Sequence, residues 1–416
     1  MRQLLQNRDL RFFLFSSFCL AGSRRLLQAA FAWHIYDLTG SLFHLGVIGA
    51  VQFVPVVPFT LWGGAVADRF SRRRIILLSH AATLSGSLLL VWGATRPDAL
   101  IILYLLALAL ALAGAFQTPA SQALLPGLVS RTLFPSAVTL FSSVRNLAWV
   151  SGPVALGFVL DAWGIRAVYL LNVGLMLGAT AGLLGVPSLP PAGDSRKVSL
   201  ASIREGLDFV WSSIREGLDF VWSRPVILSS MLLDMFAVIF ASATALLPVY
   251  ANDILQVGSR GYGLLSASLE VGTLVTALVL LVRPPILQPG KALLIAVGFY
   301  GLATIVFGLS RSFPLSLAAY ALAGAADQIS MVTRSTILQL ATPDALRGRV
   351  SSVNMIFIGA SNQLGAAESG FLAALTNATF SVVAGGAACL AVLGVVTTRV
   401  PELRRYRPSD HAETVE

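Results

Sequence analysis

Long apolar runs separated by short polar segments cover most of the chain. Six runs lie at about 12–36, 44–67, 75–93, 99–118, 135–160 and 167–187, and six more at about 226–250, 262–282, 292–309, 315–335, 351–376 and 380–398. Most are close to the roughly 20 residues that a helix needs to cross the apolar core of a bilayer. The pattern therefore predicts an all-α polytopic membrane protein whose twelve transmembrane helices form two pseudo-symmetric six-helix bundles.

The longest polar stretch, 188–224, separates the two sets of runs. It predicts an N-terminal bundle at 1–187, a cytoplasmic connector at 188–225, a C-terminal bundle at 226–399 and a cytoplasmic tail at 400–416. Within the connector, residues 202–212 recur without change as residues 213–223. Apolar positions there are spaced by three and four, which is typical of an amphipathic helix. The duplication either lengthens a clamp between the bundles or is a neutral tandem repeat.

Composition narrows the class of protein. Hydrophobic residues make up 56% of the chain and charged residues 12%, whereas an average soluble domain has about 25% charged residues. These values exclude a soluble enzyme, a fibrous protein and a disordered chain. Two cysteines and four histidines provide neither a disulfide framework nor an HExxH zinc motif. No cofactor is predicted, and without an ATP-binding P-loop a proton gradient is the expected energy source.

The positions of the basic residues predict the orientation. The chain has 29 Lys and Arg against 20 Asp and Glu, a net charge of +9. With the N-terminus placed in the cytoplasm, nearly all basic residues outside the spans fall in cytoplasmic segments, the exceptions being Arg96, Arg166, Arg260 and Arg311. This asymmetry follows the positive-inside rule. It predicts a bacterial inner-membrane protein with both termini in the cytoplasm, and it explains the basic charge without a nucleic-acid partner.

The two halves share a local pattern of glycines. A serine-containing segment from Pro135 leads to Gly152 and Gly157, and a similar segment from Gly348 leads to Gly365 and Gly370 at the same spacing. Parallel repeats of this kind predict a substrate site near mid-membrane at the interface between the halves. The alternative is a coincidence, because Gly- and Ala-rich helices resemble one another by composition.

The segment between the second and third runs carries the most specific motif. It reads Gly64-Ala-Val-Ala-Asp68-Arg69-Phe-Ser-Arg72-Arg73-Arg74. This resembles the GxxxDRxGRR loop signature of the major facilitator superfamily, with Ser71 in place of a glycine. The resemblance implies the major facilitator fold, a transporter rather than an enzyme, and a gating loop in which Asp68 faces the start of the eleventh helix near Arg347 and Arg349. The alternative is a positive-inside anchor, which does not require the carboxylate.

Further segments extend the resemblance along the chain. In the fifth run, Gly152, Pro153 and Gly157 partly match the antiporter motif of the same superfamily; the alternative is a packing kink at the proline. Segments 36–41, 124–129 and 346–350 resemble the exporter branch that includes enterobactin exporters and macrolide-efflux proteins. Many members of that branch carry an acidic residue in the first span, where this chain has Arg24 and Arg25.

Charged residues remain inside the predicted spans, although a charge near the bilayer centre costs about 2.5–3.5 kcal/mol on insertion scales. The basic ones are Arg24, Arg25, Arg145 and Arg334, and the acidic ones are Asp234, Glu270, Asp327 and Glu368.

Their distribution is uneven, because most of the basic residues lie in the first half and all the acidic ones in the second. We expect Arg24, Arg25 and Arg145, together with Gln28, to contact an anionic or strongly polar part of a substrate. The four acidic residues are candidate proton carriers, since burial favours the protonated form of a carboxylic acid. Alternatively, these charges form static pairs between helices, or those near span ends reach towards the interface.

The sequence therefore predicts proton-coupled export of a small amphipathic or anionic molecule, siderophore-like or drug-like, by alternating access. A uniporter or importer of the same superfamily is one alternative, and a non-transporting membrane sensor or receptor is another. The expected partners are the lipid bilayer, a small-molecule substrate and protons, and a monomer is compatible with the sequence.

Overall fold

The structure is a computed structural model. Helices account for all the regular structure in the part of the chain that it describes. The structure describes residue 4, residues 6–55, residue 59 and residues 71–96, 99–130, 132–187, 200–284 and 286–406. The helices are α1 (Arg8–Thr39), α2 (Leu42–Phe53), α3 (Arg72–Gly93), α4 (Ala99–Leu124), α5 (Phe134–Leu184), α6 (Leu200–Ser223), α7 (Pro225–Ala241), α8 (Gly258–Val282), α9 (Pro289–Leu309), α10 (Phe313–Ala341), α11 (Arg347–Leu375), α12 (Ala378–Arg399) and α13 (Pro401–Arg405).

Eight described helices are long and apolar enough to cross a membrane, judged by length and composition. They are α3, α4, α5, α8, α9, α10, α12, and α7 with the short helical turns that extend it to Ile254. Helices α1 and α11, with 32 and 29 residues, are also longer than a bilayer core requires. The second predicted span begins with α2, and its residues 56–58 and 60–67 lie outside the described residues. The predicted all-α membrane architecture is confirmed.

Helix α5 contains two spans, because its 51 residues are interrupted at Gly164. The backbone there adopts φ 76° and ψ 179°, a conformation that glycine reaches without a steric penalty and other residues rarely adopt. Gly164 lies between the fifth and sixth apolar runs, so α5 supplies both of these predicted spans. Pro153 lies inside the same helix, but Gly164 is the residue at which the backbone dihedrals leave the helical region.

The contacts within the described chain divide it into two compact units. The first unit contains Met1–Gly40, Val54–Val210 and Gly258–Ala267, and the second contains Ser41–Phe53, Trp211–Val257 and Ser268–Glu416. Each unit therefore includes a short segment from the other half of the sequence. The division of the chain into bundles, connector and tail stays a prediction.

In the first unit, the glycines of the fifth span allow close helix approach. A Cβ atom at Gly152 would lie 2.9 Å from the carbonyl oxygen of Gly22 on α1. A Cβ atom at Gly157 would lie 2.9 Å from the Cα atom of Gly263, near the start of α8. Beside this second contact, Arg260 Nε lies 2.7 Å from Asp161 Oδ2. Small residues therefore bring backbones into contact at both positions, as is common in membrane helices.

In the second unit, the repeated glycines of α11 have equivalent partners. A Cβ atom at Gly365 would lie 2.7 Å from the carbonyl oxygen of Val238 on α7. A Cβ atom at Gly370 would overlap the backbone of Gly46 on α2. In each half of the sequence, the first glycine packs against the first helix of its own half: Gly152 against α1 and Gly365 against α7. The second glycine packs against the second helix of the other half: Gly157 against α8 and Gly370 against α2. The glycine spacing thus marks a structural repeat rather than a similarity of composition alone.

The connector forms one continuous helix, α6, across both copies of the duplicated segment. In the second copy, Ile214, Leu218 and Val221 pack with apolar residues of α7, α10 and α11. Gly217 lies against the backbone of Arg349, which a Cβ atom would approach to 3.0 Å. The apolar stripe of this copy therefore faces protein helices rather than lipid. Side chains 201–210 of the first copy lie outside the described residues.

We expect helix packing in the second unit to depend on Gly324 of α10. A Cβ atom there would overlap the carbonyl oxygen of Leu269 on α8, so Gly324→Ala should lower the free energy of unfolding by about 1–3 kcal/mol through overpacking. The measurement is thermal or denaturant unfolding in mixed micelles. Gly394→Ala in α12 is the control, because a Cβ atom at that position would extend into open space. Equal stability of the two variants would contradict the prediction.

Candidate transport site

Arg24 of α1 is accessible in the first unit, although it lies in the middle of a membrane-length helix. Its Nη2 atom donates to Gln117 Oε1 at 3.2 Å, and its Nη1 atom donates to Thr118 Oγ1 at 3.3 Å, both on α4. A Cβ atom at Gly114 would lie 2.8 Å from Arg24 Nη2, so the glycine leaves room for the guanidinium. Charged side chains in spans usually face the bundle interior or a water-filled cavity rather than lipid.

Arg25 and Arg145 share an aromatic neighbour, Trp149. The guanidinium of Arg25 lies 4.5 Å from the centre of the Trp149 ring, and that of Arg145 lies 5.1 Å from it. Arg25 Nη1 also donates to Gln28 Oε1 at 3.2 Å. A cation over an indole ring gains about 0.5–2 kcal/mol, more when it is desolvated. Gly152 contributes to this arrangement, because its lack of a side chain lets α5 approach α1 beside Arg25.

The basic cluster, formed by Arg24, Arg25 and Arg145, includes buried donor atoms that lack acceptors among the described residues. Among the described residues, no carboxylate forms an ion pair with Arg24 or Arg145. Two buried donor atoms near these arginines, Arg145 Nε and Gln117 Nε2, lack hydrogen-bond partners. Buried donors without acceptors are costly. The cluster is therefore chemically suited to an acceptor-rich anion.

The second unit contains a buried ion pair between α7 and α10. Arg334 Nη2 lies 3.1 Å from Asp234 Oδ2, and both side chains are less than a tenth exposed. Ser330 donates to the other oxygen of Asp234 at 3.0 Å, and Arg334 Nη1 donates to Asn354 Oδ1 on α11 at 2.7 Å. Three helices are thus joined through one guanidinium group.

A second carboxylate, Asp327, acts on this ion pair and also interacts with Glu270. Asp327 of α10 interacts electrostatically with Asp234, Arg334 and Glu270. Glu270 of α8 is buried, and Asp327 is half-buried. Asp234, Glu270 and Asp327 form the carboxylate cluster, in which Asp234 and Asp327 have Arg334 as a basic neighbour. With Asp234, Asp327 and Arg334 ionised, these three groups would carry a net charge of −1 in an environment that disfavours uncompensated charge.

Glu368 is separate from this ion pair. It lies on α11, between two tightly packed small residues of the same helix. Its Oε2 atom is buried and has no hydrogen-bond partner within the described ranges. The four acidic residues predicted from the sequence thus fall into a cluster of three and a single residue.

The predicted gating loop is partly outside the described residues, which exclude Gly64, Asp68 and Arg69. Arg72 and Arg73 form the first turn of α3, and Arg73 Nη2 donates to the carbonyl oxygen of Leu184 at 2.9 Å. This bond satisfies a carbonyl group at the end of α5, where lysine and arginine side chains are favourable.

Arg347 and Arg349 lie within the first turn of α11, which begins four residues before the predicted apolar run at 351–376. Positive charge is unfavourable at a helix N-terminus. Each arginine has an acidic partner: Arg347 Nη1 lies 2.7 Å from Asp344 Oδ1, and Arg349 pairs with Glu216 of α6. The duplicated segment of the connector is therefore bound to α11 by its second copy.

Several residues of these sites were not predicted from the sequence. Gln117 and Thr118 hold Arg24, Trp149 holds two arginines, and Asn354 holds Arg334. Polar residues inside an apolar run were the available signal for three of them. Trp149 carried no such signal, because an aromatic residue in a span is usually a packing or interfacial residue.

The Major Facilitator Superfamily family model matches residues 13–361, most of the chain. The chain belongs to the major facilitator superfamily. This assignment confirms the resemblance of the loop motif and the twelve-helix major facilitator fold, and it makes the protein a multi-pass membrane transporter of small molecules.

Curated relatives of this superfamily member include enterobactin exporters. The exporter EntS of Escherichia coli O1:K1 / APEC is 27% identical over 388 residues, which cover 92% of this chain and 89% of the relative. EntS of Shigella boydii serotype 18 is 28% identical over the same shares of the two chains. These relatives support the efflux branch indicated by the sequence motifs.

Solved structures of other major facilitator transporters share the fold. A POT family transporter in complex with 5-aminolevulinic acid has a TM-score of 0.72 at 15% identity, covering 95% of this chain and 97% of its own. The nucleoside transporter NupG has a TM-score of 0.70 at 15% identity, covering 96% and 99%. At this identity the likeness extends to the fold alone.

Within this fold, we expect the loss of Arg334 to destabilise the second unit more than the loss of the Asp234 charge. Arg334→Gln removes the basic neighbour of both Asp234 and Asp327, whereas Asp234→Asn leaves Arg334 beside Asp327. Breaking a buried ion pair from one side typically costs about 3–5 kcal/mol. Unfolding in detergent at neutral pH measures the difference, and a lower stability of Asp234→Asn would contradict the predicted order.

Proposed function

We propose that this transporter exports a small anionic or amphipathic molecule and that protons moving into the cell drive the export. The substrate binds at the basic cluster of the first unit, and the protons bind at the carboxylate cluster of the second. The enterobactin exporters among the relatives favour export and a siderophore-like substrate. The alternatives are a uniporter and an importer of the same superfamily.

The observation that carries the proposal is the excess of carboxylates around Arg334. Asp234 already forms an ion pair with Arg334, so Asp327 lies beside a guanidinium whose charge is largely neutralised, and it also faces the charges of Asp234 and Glu270. Repulsion between carboxylates and removal from water both favour retention of a proton. We assign this proton to Asp327, which lies on the same helix as Arg334 and two turns before it.

Proton release from Asp327 gives Arg334 a second carboxylate to bind. The Asp327 carboxylate then competes with Asn354 for the guanidinium of Arg334. The hydrogen bond from Arg334 to Asn354 connects α10 to α11. Protonation of Asp327 removes that competitor and favours the arrangement described here. The proton thus biases the contact between two helices, and an alternating-access transporter requires a bias of this kind for coupling.

The basic cluster supports an anionic substrate for an independent reason. Arg24 is held by the neutral groups of Gln117 and Thr118, and Arg145 lies over the Trp149 ring. Neither neighbour carries a negative charge, so both guanidinium groups attract an anion. The unpartnered donors Gln117 Nε2 and Arg145 Nε lie in the same unit. A bound oxyanion supplies acceptors for these donors and compensates the positive charge.

Topology and assembly complete the proposal. We place the protein in the bacterial inner membrane with both termini in the cytoplasm, following the distribution of its arginines. It uses no cofactor, and its monomer contains both clusters. The Arg349–Glu216 ion pair belongs to the gating region at the start of α11.

The experiment for proton coupling is substrate-driven proton flux in proteoliposomes that contain a pH-sensitive dye. We expect Asp327→Asn to lower flux by at least about tenfold while substrate counterflow persists, because the amide can neither bind nor release the proton. Asp327→Glu should retain part of the flux. Glu402→Gln is the control, since Glu402 is exposed on the short helix α13. Unchanged proton flux in Asp327→Asn would exclude proton coupling through this residue.

The experiment for substrate class compares enterobactin, a macrolide and a cationic dye. We expect Arg145→Gln to weaken binding of the anionic substrate by about tenfold, because hydrogen bonds to charged groups contribute roughly 1.5–3 kcal/mol. Dye binding should not weaken. Arg283→Gln is the matched control, because Arg283 is exposed beyond the end of α8. Preferential binding of the cationic dye to the wild-type protein would exclude an anionic substrate.

A further inference from the structure

Helix α6 carries two exposed tryptophans, one from each copy of the duplicated segment. Trp211 is 65% exposed and Trp222 is 63% exposed, although tryptophan is on average a largely buried residue. Arg215 is also exposed and lies between them, four residues after Trp211 and seven before Trp222. At 3.6 residues per turn, the three side chains leave the helix within about 40° of one another. They form one row along α6, the tryptophan row.

The tryptophan row borders the face by which α6 packs against the second unit. Ile214, Leu218 and Val221 pack with apolar residues at the start of α7, the end of α10 and the start of α11. On the helix these three positions fall about 20–80° to one side of Trp211. The row therefore runs beside the ends of membrane-length helices.

The side of α6 that faces away from this packed stripe is polar. Ser212 and Ser223 directly follow the two tryptophans, and both are exposed. Each lies about 100° further round the helix than its tryptophan, which places it roughly opposite the packed stripe. Helix α6 thus has its aromatic rings towards the spans and its hydroxyls on the far side.

The side chains of the row have the chemistry of a lipid headgroup region. Tryptophan combines an apolar ring with a polar N–H group and is enriched where headgroups meet acyl chains. The planar guanidinium of Arg215 suits a phosphate group. Trp222 lies three residues before Pro225, at which α7 begins. The row is therefore continuous with the start of a membrane span, which is a surface in contact with lipid.

The distance between the tryptophans restricts how α6 can meet a bilayer. Trp211 and Trp222 are separated by about 16 Å along the helix axis, at 1.5 Å per residue. One headgroup region is only roughly 5–8 Å thick, from the difference between the whole bilayer and its apolar core. Both rings reach this layer together only when α6 lies along the membrane surface.

We propose that the tryptophan row docks on the phospholipid headgroups of the leaflet on the connector's side, so that α6 lies along the membrane surface. The duplication then supplies a second anchor that points in nearly the same direction as the first. Because Glu216 of α6 pairs with Arg349, the anchored helix also holds the start of α11 near this surface. The inference requires neither proton coupling nor an anionic substrate.

The test is fluorine NMR of the full chain labelled with 5-fluorotryptophan in phosphatidylcholine nanodiscs. The chain has seven tryptophans, and Trp211→Phe, Trp222→Phe and Trp149→Phe assign three signals. With lipid that carries a nitroxide on its headgroup, we expect the signals of Trp211 and Trp222 to broaden until both are lost, because both rings lie at headgroup depth. The signal of Trp149 should persist, since that ring lies near the middle of the fifth apolar run beside Arg25 and Arg145.

Two other results would overturn the proposal. If α6 projects away from the bilayer, a water-soluble gadolinium chelate will broaden the signal of Trp211, and the headgroup nitroxide will leave it unchanged. If a second copy of the chain or another protein covers the row, neither agent will broaden the signals of Trp211 and Trp222.

A second measurement uses the matched positions that the duplication provides. Cys19 and Cys389 are buried, so a charged maleimide reports on an introduced cysteine. We expect Ser212→Cys and Ser223→Cys to react fully in nanodiscs. Trp211→Cys and Trp222→Cys should react much more slowly, because their thiols lie against the headgroups. Equal rates at the serine and tryptophan positions would contradict lipid docking, whatever the phenylalanine variants show.

Discussion

A charge placed in the apolar part of a bilayer must be compensated, and this constraint governs both clusters of the protein. An uncompensated charge costs about 2.5–3.5 kcal/mol on insertion scales. In the second unit, Arg334 is compensated by Asp234 and bonded to Asn354. In the first unit, Arg24 is bonded to an amide oxygen and a hydroxyl, and Arg145 lies over an aromatic ring. The described arginines of the two units thus have chemically different neighbours.

Close helix approach makes these contacts possible. Without a side chain at Gly152, α5 reaches α1 at the level of Arg25 and Trp149, and without one at Gly114, α4 accommodates the guanidinium of Arg24. Lipid offers little hydrophobic driving force for helix association, so packing between small residues has a large share in it. The same glycines that stabilise the helix pairs therefore also position the polar groups. Substitutions at these positions act on folding and on the site together.

The connector contains two identical copies of one segment in a single helix. The two copies of the duplicated segment have the same propensity for an amphipathic helix, and α6 runs through both. The second copy is bound to α11 through Glu216 and Gly217, whose counterparts in the first copy are Glu205 and Gly206. Eleven residues are close to three helical turns, so the duplication preserves the apolar face while moving it along the axis.

The sequence by itself determined the helical membrane fold, the number of spans, the break between the fifth and sixth spans and the charges that do not belong in a bilayer, because hydropathy and helix length are local properties of the chain. The repeat of Gly152 and Gly157 in α11 was also visible locally. Only the tertiary structure decided that Arg334 pairs with Asp234 rather than with Asp327, and that Trp149 binds two arginines. Each of these outcomes depends on side chains from helices that are distant in sequence. A local sequence pattern does not indicate which of several chemically equivalent partners comes within contact distance in the folded protein.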